Sequence, residues 1–299
     1  MKDKAKEILG EREGLKSKDL QDTLRQKHGI HVKDGAATKA VAQSRKERDE
    51  EEASFDMLPG LFEALKEQNP GTDTEIVMCE GRFKMAFLCP GPCARAWSHR
   101  PRVIALDGTH GTSAFKGVVL LATALDGAGE IFPLAIGFAP SECNESWRFF
   151  VRNLANALNI RDTPVTIISD RCKGINNGVS EFLPRAAHSY CAFHVGQNMG
   201  QFGSDVASRV WKIANASTKR EYKEAMAALN TISPKARAYL KTIDKKQWVP
   251  AFFPMPRYGH ITSNIADSTN SALRECRKCP NGAFHQDHPD DQHNVCKEA

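Results

Sequence analysis

The sequence lacks any stretch approaching the roughly 18 to 20 uninterrupted apolar residues that a membrane helix needs. A helical membrane protein is therefore excluded. Its opening residues, MKDKAKEILGEREG, lack the apolar core of a secretory signal, so an intracellular protein is expected. Charge of one sign is also scarce: 41 Lys and Arg against 36 Asp and Glu leave a net +5, which permits nucleic-acid binding without demonstrating it. Nine cysteines, an odd number, read in a reducing compartment as free thiols, or as metal ligands where clustered, rather than as a disulfide framework. What remains is 299 residues, 41% hydrophobic and 26% charged, enough for a sizeable core and two domains.

Along the chain, residues 1 to about 55 read as short helices with basic faces, suited to a small helix-turn-helix module or to a solvated helical arm. Ser17-Lys18-Asp19 marks a helix start and His28-Gly29-Ile30 a turn. Gly35 to Arg48 forms the next segment, before the charge block Lys46 to Glu52. Met57 to Gln68 is a further helix, stopped by Asn69-Pro70-Gly71. Then the period changes. Strands are expected at Glu75 to Met78, Lys84 to Leu88 and Val103 to Leu106, and a hairpin of Gly117 to Leu125 with Ile131 to Phe138 turns about Asp126-Gly127. Asn144 to Leu158 has helical period, Val165 to Ile168 is a buried strand, a helix follows to Leu183, and Ala186 to Tyr190 precedes a helix from Cys191. Three strands, helix, strand, helix, strand, helix is the element order of an α/β, RNase H-like fold, a mixed sheet flanked by helices. Residues from about 200 to 255 read as an all-helical insertion, Thr262 to Cys276 as one further helix, and 280 to 299 as a polar tail.

Asp107 and Asp170 each close an apolar run, VIAL and VTIIS. Side chains at the carboxyl ends of adjacent parallel strands converge on one crevice. Two carboxylates brought close repel and raise each other's pKa unless a cation sits between them, so a hard divalent metal is the natural third party. Either Asp alone also suits the cap of a following turn. For a third acid, spacing offers Glu142, Glu145, Asp205 and Asp267, the last sharing a helix face with Asn264 and Asn270 or Ser271.

LDGTHGTSAFKGVVLLATALDGAGEIFPLAIGFAPSECNESWRFFVRNL, VTIISDRCKGINNGVSEFLPRAAHSYCAFHVGQNM and RYGHITSNIADSTNSALR together resemble the transposase domain of Mutator-like elements, from about Asp56 to Arg274. The resemblance implies a DDE/D transposase that cuts transposon ends and joins them to a target using two Mg²⁺ or Mn²⁺ ions. It implies Asp107 and Asp170 as the first and second acids. Asp267 falls where the family usually has Glu, one methylene longer. Asp107, Asp170 and Asp267, separated by 63 and 97 residues, would then hold the ions. Further implications are double-stranded DNA as partner (terminal inverted repeats and target), a homo-oligomer, and action in the nucleus. Two alternatives stand beside an active enzyme: a domesticated DNA-binding or transcription-regulating protein, and a degraded transposon fragment. Three acids in register favour the enzyme; a tail unlike the family's continuation favours the fragment.

Cys191-Ala192-Phe193-His194 matches a CxxH motif that follows the second acid in the resembled family, and its roles include packing, DNA contact or a ligand pair. Two ligands fall short of the four of a closed zinc site. Cys276, Cys279, His293 and Cys296 in the tail have spacing compatible with one, beside His285 and His288. Cys89, Cys93 and His99 read as incidental members of a Pro/Gly-rich loop. For phosphate contact, Arg171 and Lys173 beside Asp170 are the leading candidates.

Overall fold

The computed structural model of the chain describes residues 4–5, 8–9, 14–110, 117–125 and 131–263. Helix α1 (Ser17–His28) opens with the Asp19 carboxylate accepting the Lys16 backbone N–H at 2.9 Å. It closes at Gly29, whose φ of 65° lets its N–H reach the Arg25 carbonyl while Ile30 reaches Leu24. This is the turn expected there. Leu20 and Leu24 bury against Ala37 and Val41 of α2 (Asp34–Asp56). Helix α2 runs straight through the charge block, because Lys, Arg and Glu are good helix formers and need no buried face. Helix α3 (Leu58–Gln68) stops at Asn69, whose backbone and side chain both donate to the Leu65 carbonyl.

Seven strands then form one mixed sheet: β1 (Asp73–Cys79), β2 (Arg82–Cys89), β3 (Val103–His110), β4 (Val118–Leu125), β5 (Ile131–Ala139), β6 (Thr166–Ser169) and β7 (Ala187–Tyr190), in the order β1-β2-β5-β4-β3-β6-β7. The pairs from β1 through β3 are antiparallel; β3–β6 and β6–β7 are parallel. Parallel pairing requires crossovers, supplied by α5 (Asn144–Ala157) and α6 (Lys173–Phe182). Between β2 and β3, residues expected to be a Pro/Gly-rich loop form α4 (Gly91–Trp97). Pro92 sits in its first turn, where a missing N–H costs no intrahelical bond. The Asp126-Gly127 turn and most of the helix expected over Thr262 to Cys276 lie outside the described residues.

Period-two alternation sorts the sheet's two faces. Met85 and Phe87, Ile104 and Leu106, Leu120 and Ala122 enter one core with Trp147, Phe150 and Leu154 of α5. Ala86 enters another with Phe55 and Phe62, and the register shift that skips Lys84 turns Phe83 to that same side. After β7 comes α7 (Ala192–Met199), then α8 (Ser204–Ala214), α9 (Lys219–Ile232) and α10 (Pro234–Thr242). These four share a separate core that includes Val206, Ile213, Leu229, Leu240 and Trp248. Trp211, which fits the apolar spacing of α8, is instead 39% exposed.

Candidate functional site

The parallel pairing of β3 with β6 sets Ile104 opposite Ile167 and Ala105 opposite Ile168. Continued by two residues, that register sets Asp107 level with Asp170. Asp107 does not close its strand: β3 continues to His110, each residue paired with β4. It therefore stands on a paired backbone, with parity opposite to Leu106 of the α5-facing core. Asp170 lies one residue past β6, and its Oδ1 accepts the Cys172 N–H at 2.9 Å, tightening the turn into α6. Capping and placement beside Asp107 are thus properties of one side chain.

Three further groups belong to this neighbourhood. The Glu142 carboxylate accepts from Trp147 Nε1 at 3.1 Å. It also lies so close to Gly108 that a Cβ there would fall 2.9 Å from its Oε1, so a side chain at that position would displace the carboxylate. Burial, followed by the charge of Asp170, pushes the Glu142 carboxyl up. His194 is held above the usual imidazole range by its interaction with the Cys191 sulfur, against the effect of burial, and then by the charges of Asp170 and Asp107. Burial alone would push the Cys191 thiol up, but its interactions with His194 and Ser263 outweigh that and bring it below its ordinary value.

The chain returns to this point after the helical region. Thr166 Oγ1 in β6 donates to the Pro256 carbonyl at 2.9 Å. Arg257, 6% exposed, donates to Ser189 Oγ in β7 at 2.8 Å and to the Trp248 carbonyl at 3.2 Å. The Ala192 N–H meets the Ile261 carbonyl at 2.8 Å, and the Ser263 N–H meets Cys191 Sγ at 3.2 Å.

Of the third-acid candidates, Glu142 is beside Asp170, Glu145 pairs with Lys84 at 2.6 Å at the surface, and Asp205 is exposed in the first turn of α8. Asp267 lies outside the described residues, as do Cys276, Cys279, His285, His288, His293 and Cys296. Among the described residues no group of three His, Cys, Asp or Glu side chains is placed to hold a metal ion. Cys79, Cys89, Cys93, Cys143 and Cys191 are free thiols, whereas Cys172 is disulfide-bonded, which departs from the expectation of thiols throughout. Lys173 is exposed at the start of α6. Arg171 is partly covered, with Nη2 donating to the Tyr239 hydroxyl of α10 at 2.8 Å. That bond ties the residue after the second acid to the helical region, a link between positions 68 apart in the chain that local sequence does not signal.

The family model of the MULE transposase domain matches residues 103–198, the span from β3 to α7. The chain is also 23% identical over 197 residues to the transposase for insertion sequence element IS905 of Lactococcus lactis subsp. lactis, covering 59% of this chain and 48% of that protein. It is 23% identical over 116 residues to Protein FAR1-RELATED SEQUENCE 6 of Arabidopsis thaliana, covering 39% and 16%. The chain thus spans less than half the length of either relative. The MULE match takes in both Asp107 and Asp170, along with Glu142, Cys191 and His194. No helix among the described residues is long and apolar enough to cross a membrane.

Proposed function

We propose that this transposase-family protein is a DDE/D-type DNA transposase of a Mutator-like element, cleaving transposon ends and transferring the strands to a target. The observation that carries the reading is the parallel register of β3 and β6, which, continued by two residues, would bring Asp107 level with Asp170. The strand order β5-β4-β3-β6-β7, three antiparallel strands followed by two parallel to the first, supports an RNase H-like catalytic domain.

The donor set suits Mg²⁺ or Mn²⁺: hard carboxylate oxygens, few in number, for ions that keep much of their water. Asp107, Asp170 and Asp267 would hold two such ions, which supply activation of an attacking water or 3′-hydroxyl and neutralise charge on the leaving oxygen. Asp107, on the interior strand between β4 and β6, would serve both ions. Asp170 is aimed by its bond from the Cys172 N–H. Asp267 follows Ser263 by four residues, a stretch of at most about 14 Å when extended, and Ser263 is already bonded to Cys191. Double-stranded DNA is the substrate on this reading, with a homo-oligomer pairing two ends in the nucleus.

Asp107→Ala and Asp170→Asn should abolish metal-dependent nicking of transposon-end DNA while leaving DNA retention intact. Nicking at the wild-type rate by either variant would refute the assignment. Identities of 23% to the two relatives favour a second reading, a descendant that binds DNA without cutting it. Wild-type protein that retains DNA yet never nicks it would support that one.

A further inference from the structure

The chain before the sheet has a small core of its own. Leu20 and Leu24 of α1 and Ala37 and Val41 of α2 are buried together with Ile8 and Leu9, and Ile30 and Val32 of the connecting turn pack against them. That turn is tied at both ends: beyond the left-handed Gly29 the Ile30 N–H reaches the Leu24 carbonyl at 3.1 Å, and Gln21 Nε2 of α1 donates to the Val32 carbonyl at 2.9 Å. Apolar burial and hydrogen bonds together therefore set the direction in which α2 leaves α1. Burial of Ala37 and Val41, four residues apart, assigns one face of α2 to this core and leaves the opposite face to Gly35, Ala36, Lys39, Ala42, Gln43 and Lys46, all exposed. No large apolar side chain lies on that outward face. Around it, residues 14–46 carry eight Lys and Arg against three Asp and Glu, and all eight cations are exposed.

We propose that α1, its turn and α2 form a helix-turn-helix module that reads base sequence in the major groove of double-stranded DNA, with the outward face of α2 against the bases. The small residues Gly35, Ala36 and Ala42 let the helix approach the groove floor, and an alanine methyl packs against the methyl of thymine. Between them Gln43 has the paired donor and acceptor that adenine presents in reverse, and Lys39 the donors for O6 and N7 of guanine. Arg25 and Lys27 in the last turn of α1, with Lys33 directly before α2, are then phosphate contacts that hold the register without reading sequence. A solvated helical arm needs neither a tied turn nor an outward face of this composition. The claim shares only its DNA partner with the proposed function: it requires neither metal nor cleavage.

The test is binding alone, with the full chain and no divalent metal, to a pool of duplexes randomised over about two helical turns. The wild type should enrich one sequence and bind it about a hundredfold or more tightly than a scrambled duplex at the same salt concentration. A double variant, Lys39→Ala with Gln43→Ala, should lose at least about tenfold of that preference while holding the scrambled duplex as before. Alanine keeps the helix, and unchanged amide exchange at Leu24 and Val41 checks that the module stays folded. Arg25→Gln with Lys27→Gln should instead weaken both duplexes alike and lower the slope of log affinity against log salt by about 1.8. No enriched sequence for the wild type, or an undiminished preference in the Lys39 and Gln43 variant, would overturn the proposal. Equal weakening of both duplexes by that variant would reduce α2 to a phosphate contact and overturn it as well. A preference that survives in a chain that never nicks DNA would overturn the cutting reading and keep this one.

Discussion

The sheet region and the helical region after it differ most in charge. Residues 73–199 carry twelve Lys and Arg against eleven Asp and Glu, whereas 204–250 carry ten against four. The first is nearly neutral, with two of its acids gathered at one sheet edge; the second exposes cations such as Lys219, Lys223 and Lys241 on α9 and α10. A modest +5 for the whole chain therefore conceals a division of labour. On the proposed reading, one region would supply the oxygen donors for cutting a polyanion and the other the positive field for attracting it. Their cores are separate as well, joined near the acids through α7, Arg171 with Tyr239, and Arg257.

Removing one core side chain from each region tests that separation most forcefully. Phe150 is fully buried between Phe87 and Trp147, with ring centroids 5.5 and 5.8 Å away. Phe150→Ala should cost about 3–5 kcal/mol and speed amide exchange throughout β3 and β6. Leu229→Ala should cost about 2–5 kcal/mol and speed exchange in α8 to α10 only. Equal loss of protection in both regions from either variant would mean one cooperative core.

The next effect is confined to the sheet. His188 in β7 stands 2.8 Å from Ser169 Oγ, and burial drives its pKa down from 6.5 to about 4. Because the folded value is the lower one, protons bind the unfolded chain more tightly. The stability owed to neutral His188 is complete above about pH 6.5 and is lost as the pH falls through about 4, by up to about 3 kcal/mol. Urea unfolding at pH 7 and pH 4.5 should show this fall in the wild type and a smaller one in His188→Gln.

The smallest expected effect belongs to the helical region. Replacing Lys219, Lys223 and Lys241 together by Gln should weaken DNA binding about tenfold and reduce the slope of log affinity against log salt, by up to about 2.7 if all three touch phosphate. Nicking per bound complex should not change. An unchanged salt slope would remove this face from the DNA path.

Much of this was legible in the sequence because it is local. The stop at Asn69-Pro70-Gly71, the strand periods and the two acids after apolar runs all appear within a few residues of one another. Helix α4 escaped because Gly91 and Pro92 look like loop residues unless Pro is recognised as a first-turn residue. Asp107 reads as a strand end because Gly108-Thr109 resembles a turn, yet pairing with β4 carries the strand onward. Trp211 fits an apolar stripe whose outer position this fold leaves uncovered. The contacts of Glu142 with Gly108 and of Cys191 with Ser263 join distant residues, and no local pattern announces them.

The central claim is that the acids at the edge of β3 and β6 form a divalent-metal site. Calorimetric titration of Mn²⁺ into the wild type and into Asp170→Asn tests it most directly. The account expects binding in the wild type that is lost or greatly weakened in the variant. No binding to the wild type, or equal binding to both, would contradict it.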